Sequence, residues 1–187
     1  MQISRITSWI CLTCLALATT FNPAYPQPVA SEYAVKAAIL YKITKFVAWP
    51  EHAFETSNDR LSICLADDSP FSEALQTLHK RPVRSREIEV ITYQTGSEVD
   101  PDCHVLFVDR EALEHMGPVL SRVSGKPILT IGDHKNFSEH GGIISLAVEQ
   151  NRVSFLINVE ASEASGLDIS AQLLQLATVI RPGGRSQ

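Results

Sequence analysis

The stretch from His140 to Ile180 constrains the fold most, because it alone contains a complete series of local structures with clear boundaries. It opens with Gly141 and Gly142, and apolar residues then alternate with small or polar ones on both sides of residues 149–151. Residues 149–151 are Glu, Gln and Asn, a composition that favours a turn. Alternation with period two around a short polar turn predicts a β-hairpin.

Two short helices are predicted after this hairpin. Asn158 fits the N-cap of the first helix and Gly166 fits its end. Either Asp168 or Ser170 fits the N-cap of the second helix. Five apolar residues are predicted to share one face of the second helix and to pack on the core: Ile169, Leu173, Leu176, Ala177 and Ile180. Nothing in this stretch is a catalytic motif.

Short apolar segments alternate with helical patterns earlier in the chain. Strands are predicted at residues 61–66, 88–93, 103–108 and 128–131, and helices at 71–79 and 111–121. Such alternation predicts an α/β fold whose early strands are parallel and covered on both faces. We expect a single-domain Rossmann-like or flavodoxin-like sandwich. Its sheet is mostly parallel, the C-terminal hairpin adds antiparallel strands at one edge, and helices flank both faces.

The first helix is predicted at residues 31–47. Its apolar residues recur every three or four positions, and Lys36, Lys42 and Lys45 are predicted to mark its solvent-exposed side. The helix is expected to stop at Trp49, because a residue that precedes proline avoids helical angles.

The first thirty residues differ in composition from the rest. Arg5 is their only charged residue, and it precedes an apolar run at residues 6–20 that small residues and prolines follow. This pattern is typical of a secretory signal peptide at residues 1–30, which leaves residues 31–187 as the mature domain. We therefore expect an exported protein that is soluble after cleavage. The alternative is an uncleaved N-terminal anchor.

The net charge of the 187-residue chain is −5. Residues 1–30 hold one arginine and no acidic residue, so their removal changes the net charge to −6. A mildly acidic chain without a basic stripe argues against nucleic acid as a partner. A protein or a small molecule is the expected partner.

Cys64 and Cys103 are the two cysteines that remain after removal of the signal peptide. Two cysteines in an oxidising compartment favour a disulfide. In the common doubly wound order the first and third strands are neighbours, which brings a cysteine in the first strand close to one that opens the third. The alternative is two separate buried thiols.

Acidic residues follow three of the predicted strands, where α/β sheets place their ligands. Asp67 and Asp68 follow the first strand, Asp109 follows the third, and Asp133 with His134 follows the fourth. These carboxylates suggest an enzyme or a divalent-cation site, but aspartates also follow strands because they favour turns and helix caps. No two histidines have metal-ligand spacing, and no nucleophile motif is present. We therefore predict no catalytic residue, metal site or cofactor.

Tyr41 and Trp49 are the candidate residues for binding a partner or a ligand. Both lie near the end of the first predicted helix, and large aromatic side chains anchor interfaces. The alternative for Trp49 is that it closes the core over the sheet, the role favoured for Phe46. A homodimer through the first helix or an open sheet edge is a further expectation.

Several segments together resemble the YfiR/HmsC-like family of periplasmic proteins. They are AAILYKITKFVAWP at residues 37–50, LSICLADD at 61–68, CHVLF at 103–107, KPILTIGD at 126–133 and GGIISLAVEQNRVSFLINVEASEASGLDISAQLLQLA at 141–177. The resemblance runs over residues 32–180. The first and last segments are specific in combination.

The resemblance implies a non-catalytic regulator that binds the periplasmic sensor region of an inner-membrane diguanylate cyclase, or another membrane sensor. Such a regulator holds the cyclase inactive and limits cyclic-di-GMP signalling, biofilm and exopolysaccharide output. The resemblance also implies disulfide control through Cys64 and Cys103. The better-known members carry a second cysteine pair before the closing hairpin, whereas residues 133–142 of this chain contain no cysteine. The alternative function is a periplasmic module that senses a small ligand and reports to another membrane sensor.

Overall fold

The computed structural model describes residues 32–55, 59–95, 97–149 and 152–182. The predicted signal peptide at residues 1–30 lies outside the described residues, as do residues 150 and 151 of the predicted hairpin turn. Within these ranges the helices are α1 (Glu32–Thr44), α2 (Ser72–Gln76), α3 (Leu113–Val123), α4 (Val159–Ala164) and α5 (Ala171–Leu176). None of the helices in these ranges is long and apolar enough to cross a membrane.

The strands are short and lie mostly between the helices. They are β1 (Val47–Ala48), β2 (Arg60–Ala66), β3 (Pro82–Val83), β4 (Arg86–Tyr93), β5 (Val105–Val108), β6 (Leu129–Gly132), β7 (Ile144–Glu149), β8 (Arg152–Asn158), β9 (Asp168–Ile169) and β10 (Thr178–Ile180). Glu51–Phe54 and Arg110–Ala112 each form a single 3-10 turn.

Eight of these strands form one sheet in the order β10-β8-β7-β6-β5-β2-β4-β3. Strands β4, β2, β5, β6 and β7 are mutually parallel, and their order is the flavodoxin-like one in which the first strand lies between the second and the third. Strand β8 pairs antiparallel with β7. The predicted α/β fold, with a mostly parallel sheet and an antiparallel hairpin, is confirmed.

The C-terminal edge of the sheet differs from the prediction. Strand β7 runs parallel to β6, and the direction reverses between β7 and β8. The last helix ends at Leu176, and Thr178–Ile180 form β10, which is parallel to β8 and lies at the sheet edge. Ala177 has extended angles (φ −103°, ψ 158°), and the β-branched residues that follow it favour a strand. The predicted helical face that extended to Ile180 was therefore wrong.

Both predicted N-caps of the C-terminal helices are present. The side chain of Asn158 accepts a hydrogen bond from the Ala161 N–H at 3.0 Å, and that of Ser170 accepts one from the Leu173 N–H at 3.3 Å. These bonds satisfy N–H groups that have no partner within their own helix.

Apolar cores cover both faces of the sheet. Along β5, Val105 and Phe107 belong to the larger core, whereas Leu106 and Val108 belong to the smaller one. Alternate residues of a strand point to opposite faces, so the two cores lie on opposite sides of the sheet. Helix α1 packs in the larger core and α3 in the smaller one.

Helix α1 differs from the prediction at Lys36. Lys42 and Lys45 are exposed, but Lys36 is fully buried. Its Nζ atom lies 2.7 Å from Oδ2 of the buried Asp133, which directly follows β6. A carboxylate that faces the helix allows the ammonium group to lie on the inner side, where periodicity alone predicts an apolar residue.

Candidate functional site

Tyr41 lies near the end of α1, beside the hairpin that β3 and β4 form. Its hydroxyl donates a hydrogen bond to the Pro82 carbonyl oxygen at 2.8 Å. Two cations contact its ring, since Lys45 Nζ lies 4.2 Å and Arg81 Cζ 4.7 Å from the ring centroid. The hydrogen bond and the two cation–π contacts fix the orientation of the ring, and the side chain remains half-buried.

Trp49 belongs to a second aromatic group, next to the amino end of β5. Its Nε1–H donates a hydrogen bond to the His104 carbonyl oxygen at 3.1 Å. The Phe54 ring packs edge-on against Trp49, with centroids 6.4 Å apart, and stacks on the His104 ring at 4.4 Å. The guanidinium group of Arg86 covers Phe54, with Cζ 3.7 Å from the ring centroid. Trp49 packs against the larger core but is only half-buried, so part of its surface is accessible.

The β3–β4 hairpin connects the two aromatic groups. Arg84 lies in its turn and Arg86 directly follows the turn. Arg84 Nη2 donates a hydrogen bond to the Lys45 carbonyl oxygen at 3.5 Å. Arg86 pairs with Asp59 at 3.4 Å, whereas no described carboxylate lies within ion-pair distance of Lys45, Arg81 or Arg84. We call the following residues the hairpin face: Tyr41, Lys45, Trp49, Phe54, Arg81, Arg84 and Arg86. This face is positively charged on an acidic chain.

Cys64 and Cys103 are joined by a disulfide, and their Cα atoms lie 5.9 Å apart. Cys64 lies within β2, opposite Leu106 of β5, and Cys103 lies two residues before β5. Both cysteines are buried in the smaller core. The disulfide therefore links the two central strands next to His104.

His104 is buried and uses both ring nitrogens as hydrogen-bond partners. Nδ1 accepts a hydrogen bond from the Ser62 N–H at 3.1 Å, and Nε2 donates one to the Ala53 carbonyl oxygen at 2.8 Å. This pattern requires the neutral Nε2–H tautomer. Burial lowers the pKa of His104 below its usual 6.5, although the hydrogen bond to Ala53 opposes that change. A neutral imidazole thus attaches residues 49–54 to the central strands.

A charged cleft of about 360 Å³ opens where β5, β6 and β7 end. Two lining residues, Asp133 and Glu32, both pair with the buried Lys36. Arg110 Nη2 donates a hydrogen bond to Asp133 Oδ1 at 3.4 Å. The hydrogen bond from Lys36 is the largest cause of the lowered pKa of Glu32. Two cations and two carboxylates therefore form one network at the carboxyl edge of the sheet.

The other acidic residues that follow the predicted strands lie apart from this network. Asp67 and Asp68 are exposed, and Asp68 accepts a hydrogen bond from Thr95 at 2.9 Å. Asp109 is buried. In the part of the chain that the structure describes, no group of three or more His, Cys, Asp or Glu side chains is placed to bind a metal ion.

The family of this chain is decided by a match over most of its length. A family model described as YfiR/HmsC-like matches residues 33–178. The chain belongs to this family. The match includes the hairpin face, the disulfide and the charged cleft apart from Glu32. A comparison with curated proteins gives no match.

Two solved structures resemble this YfiR/HmsC-like chain. The ABC domain in complex with L-Trp from Streptococcus pneumonia is 13% identical with a TM-score of 0.51, and the alignment covers 77% of this chain and 62% of that one. A conserved domain protein from Vibrio cholerae O1 biovar El Tor is 11% identical with a TM-score of 0.49, with coverages of 79% and 60%. The chain thus spans about three fifths of the length of these proteins. At this identity the first similarity shows the α/β fold alone.

Three residues of this YfiR/HmsC-like chain have roles that its local sequence does not indicate. Periodicity places Lys36 on the solvent side, and the only contrary signal is Glu32 four residues earlier. His104 is one of six scattered histidines, and only its position beside Cys103 distinguishes it. Arg110 follows a strand without any periodic signal. The main partner of each residue is distant in sequence, so a local pattern does not identify it.

Proposed function

We propose that this protein binds the periplasmic sensor region of an inner-membrane diguanylate cyclase and holds the enzyme inactive. In this role it has no catalytic activity of its own, and it limits cyclic-di-GMP signalling, biofilm and exopolysaccharide output. The observation that carries the proposal is the YfiR/HmsC-like match over residues 33–178. Export through the signal peptide predicted at residues 1–30 would place it in the same compartment as the sensor region.

The proposed contact surface is the hairpin face. Tyr, Trp and Arg are the residues that most often dominate binding energy at protein interfaces, and this face contains all three. Tyr41 and Trp49 are each fixed by a hydrogen bond to a backbone carbonyl, so little side-chain entropy is lost on binding. Lys45, Arg81 and Arg84 favour an acidic surface on the sensor region, because complementary charge accelerates and orients association.

Deletion of the gene in its native bacterium tests the regulatory function. We expect the cellular cyclic-di-GMP concentration to rise and to fall again when the wild-type gene is restored. An unchanged concentration in the deletion strain, under every growth condition tried, contradicts repression of a cyclase.

Complementation with surface variants tests the proposed contact face. We expect the double variant Arg81→Glu/Arg84→Glu to be exported normally but to leave cyclic-di-GMP high. The matched control is Arg122→Glu/Lys126→Glu, which reverses two charges on and just after α3, the helix of the opposite core. If both double variants restore the low cyclic-di-GMP concentration, the contact does not lie on the hairpin face. That result would not contradict the regulatory function.

A second function, sensing of a small ligand, is favoured by the charged cleft. Clefts of this size at the carboxyl edge of an α/β sheet are common ligand sites. A homodimer remains a separate proposal, and sedimentation velocity of the purified mature protein tests it.

A further inference from the structure

We propose that the charged cleft binds a small molecule that carries a carboxylate, with the guanidinium group of Arg110 as its main contact. The cleft lies where ligands bind in α/β sheets, one strand away from the point between β2 and β5 at which the strand order reverses. The proposal develops the small-ligand function and does not depend on repression of a cyclase.

The geometry of Arg110 leaves one edge of its guanidinium group available. Nε donates a hydrogen bond to the Asp133 carbonyl oxygen at 3.3 Å, and Nη2 donates one to Asp133 Oδ1 at 3.4 Å. These two bonds hold the planar group from one side. Among the described residues, only Asp133 accepts hydrogen bonds from Arg110, and 55% of the side chain is exposed. The Nη1–Nη2 edge therefore remains open to the two oxygens of a carboxylate.

The charge on Arg110 is only partly compensated by Asp133. The closer partner of Asp133 is Lys36, whose Nζ lies 2.7 Å from Oδ2. The Lys36 and Asp133 side chains are 1% and 7% exposed, so this pair lies in a low-dielectric region and is weakly screened by solvent. Glu32 is the second carboxylate of this network and pairs with Lys36. Arg110 is the more exposed of the two cations and lies on the cleft wall. An anionic ligand would contact an exposed guanidinium group whose hydrogen-bonded carboxylate, Asp133, is shared with Lys36.

The remaining lining favours a ligand that is polar and small. His134, Lys135 and Asn136 add polar groups to the lining, whereas Ala147 and Val148 supply its apolar part. Glu32 also lines the cleft, and 48% of its side chain is exposed. Its carboxylate can accept a hydrogen bond from a hydroxyl group. The structure therefore favours a hydroxycarboxylate over a simple carboxylate.

Binding to the purified, oxidised mature protein tests the proposal directly. Lactate, malate and citrate serve as probes, propionate is the probe without a hydroxyl group, and sodium chloride at equal ionic strength is the blank. We expect at least one hydroxycarboxylate to raise the melting temperature and to give a calorimetric binding isotherm. It should also shift the Arg110 Nε–H resonance. If no hydroxycarboxylate binds, the proposed ligand class is wrong.

Variants locate the site and test its geometry. Arg110→Gln should weaken binding by roughly tenfold to a hundredfold, because a charge-assisted bidentate pair is lost. Arg110→Lys should weaken it similarly, since an ammonium group cannot form the planar double contact. The control Arg122→Gln, at an exposed arginine of α3, should bind like wild type. Wild-type affinity in Arg110→Gln would place the ligand elsewhere and overturn the proposal. None of these measurements involves a cyclase, so a failed deletion phenotype and a failed ligand site are distinguishable.

Discussion

Lys36 Nζ lies 2.7 Å from Asp133 Oδ2, and this pair connects α1 to the end of β6 across 97 residues of sequence. Both side chains are buried, and Lys36 has Glu32 as a second acidic partner. Transfer of two charges from water into the protein is costly, and the mutual attraction of the pair offsets that cost only when both partners are present. The pair therefore makes the position of α1 on the sheet depend on two specific residues.

Replacement of Lys36 by methionine should destabilise the protein strongly. The variant leaves the buried Asp133 carboxylate without its nearest cation, and loss of one partner of a buried pair costs about 3–5 kcal/mol. Arg110 remains at 3.4 Å, so the lower end of that range is expected. Urea unfolding of the oxidised protein measures the change in the free energy of unfolding.

The double variant Lys36→Met/Asp133→Leu is the matched control. It removes both charges and leaves apolar side chains of suitable size, so part of the lost stability should return. If the single and double variants unfold at the same urea concentration, an unpaired buried charge is not the cause of the destabilisation.

The sequence predicts the α/β fold well because the apolar segments are short, regularly spaced and bounded by turn residues. The hairpin and the caps at Asn158 and Ser170 follow from such local signals. The neighbouring positions of β2 and β5 follow from the common doubly wound strand order. Strand β10 was not predicted, because a short β-branched segment after a helix is equally compatible with a longer helix. The positions of Lys36 and Arg110 were not predicted either, because their partner Asp133 is distant in sequence.

The disulfide should account for a large part of the stability. It closes a loop of 39 residues, and on the chain-entropy model such a cross-link contributes about 4 kcal/mol. Reduction of the wild type, or the double variant Cys64→Ala/Cys103→Ala, should lower the free energy of unfolding by a similar amount.

Mass spectrometry of a non-reduced digest of the exported protein checks the bond itself. A peptide that contains both Cys64 and Cys103 is expected. Free thiols at both positions would contradict the linkage. Equal stability of the reduced and oxidised proteins would contradict its energetic contribution.

His104 should make stability dependent on pH in a defined window. Burial lowers its pKa in the folded protein below 6.5, so below that pH the unfolded chain binds the proton more readily than the folded one. This contribution to stability is fully present above pH 6.5 and is lost as the pH falls from there through the pKa of the folded state. Glu32, whose pKa is also lowered, adds a similar loss only below its usual 4.5.

Denaturation at a series of pH values with the variant His104→Gln tests this dependence. Glutamine retains one acceptor and one donor, so both hydrogen bonds can be kept without a group that titrates. Between about pH 6.5 and 5, the stability of the wild type should fall more steeply than that of the variant. The control His115→Gln, at an exposed histidine, should retain the wild-type slope. Parallel slopes for the wild type and His104→Gln would show that His104 does not control this dependence.

Phe137 is buried between two glycines, and this packing predicts that neither glycine tolerates a side chain. A Cβ atom added at Gly132 or at Gly142 would lie closer than 3.0 Å to three atoms of the Phe137 ring. Either Gly132→Ala or Gly142→Ala should therefore destabilise the protein by about 1–3 kcal/mol, the usual cost of overpacking a core. Thermal and urea unfolding of the oxidised variants measure the effect.

The comparison with Gly117 separates this steric effect from a general effect of replacing glycine. Gly117 lies within α3 and has no atom within 4 Å of an added Cβ, so Gly117→Ala should stabilise the protein by about 0.5–1 kcal/mol. In Gly132→Ala/Phe137→Leu the smaller side chain gives the new methyl group room. The change Phe137→Leu should therefore lower the free energy of unfolding less in the Gly132→Ala background than in the wild type. If Phe137→Leu lowers the free energy of unfolding equally in both backgrounds, the Phe137 ring is not what excludes a side chain at Gly132.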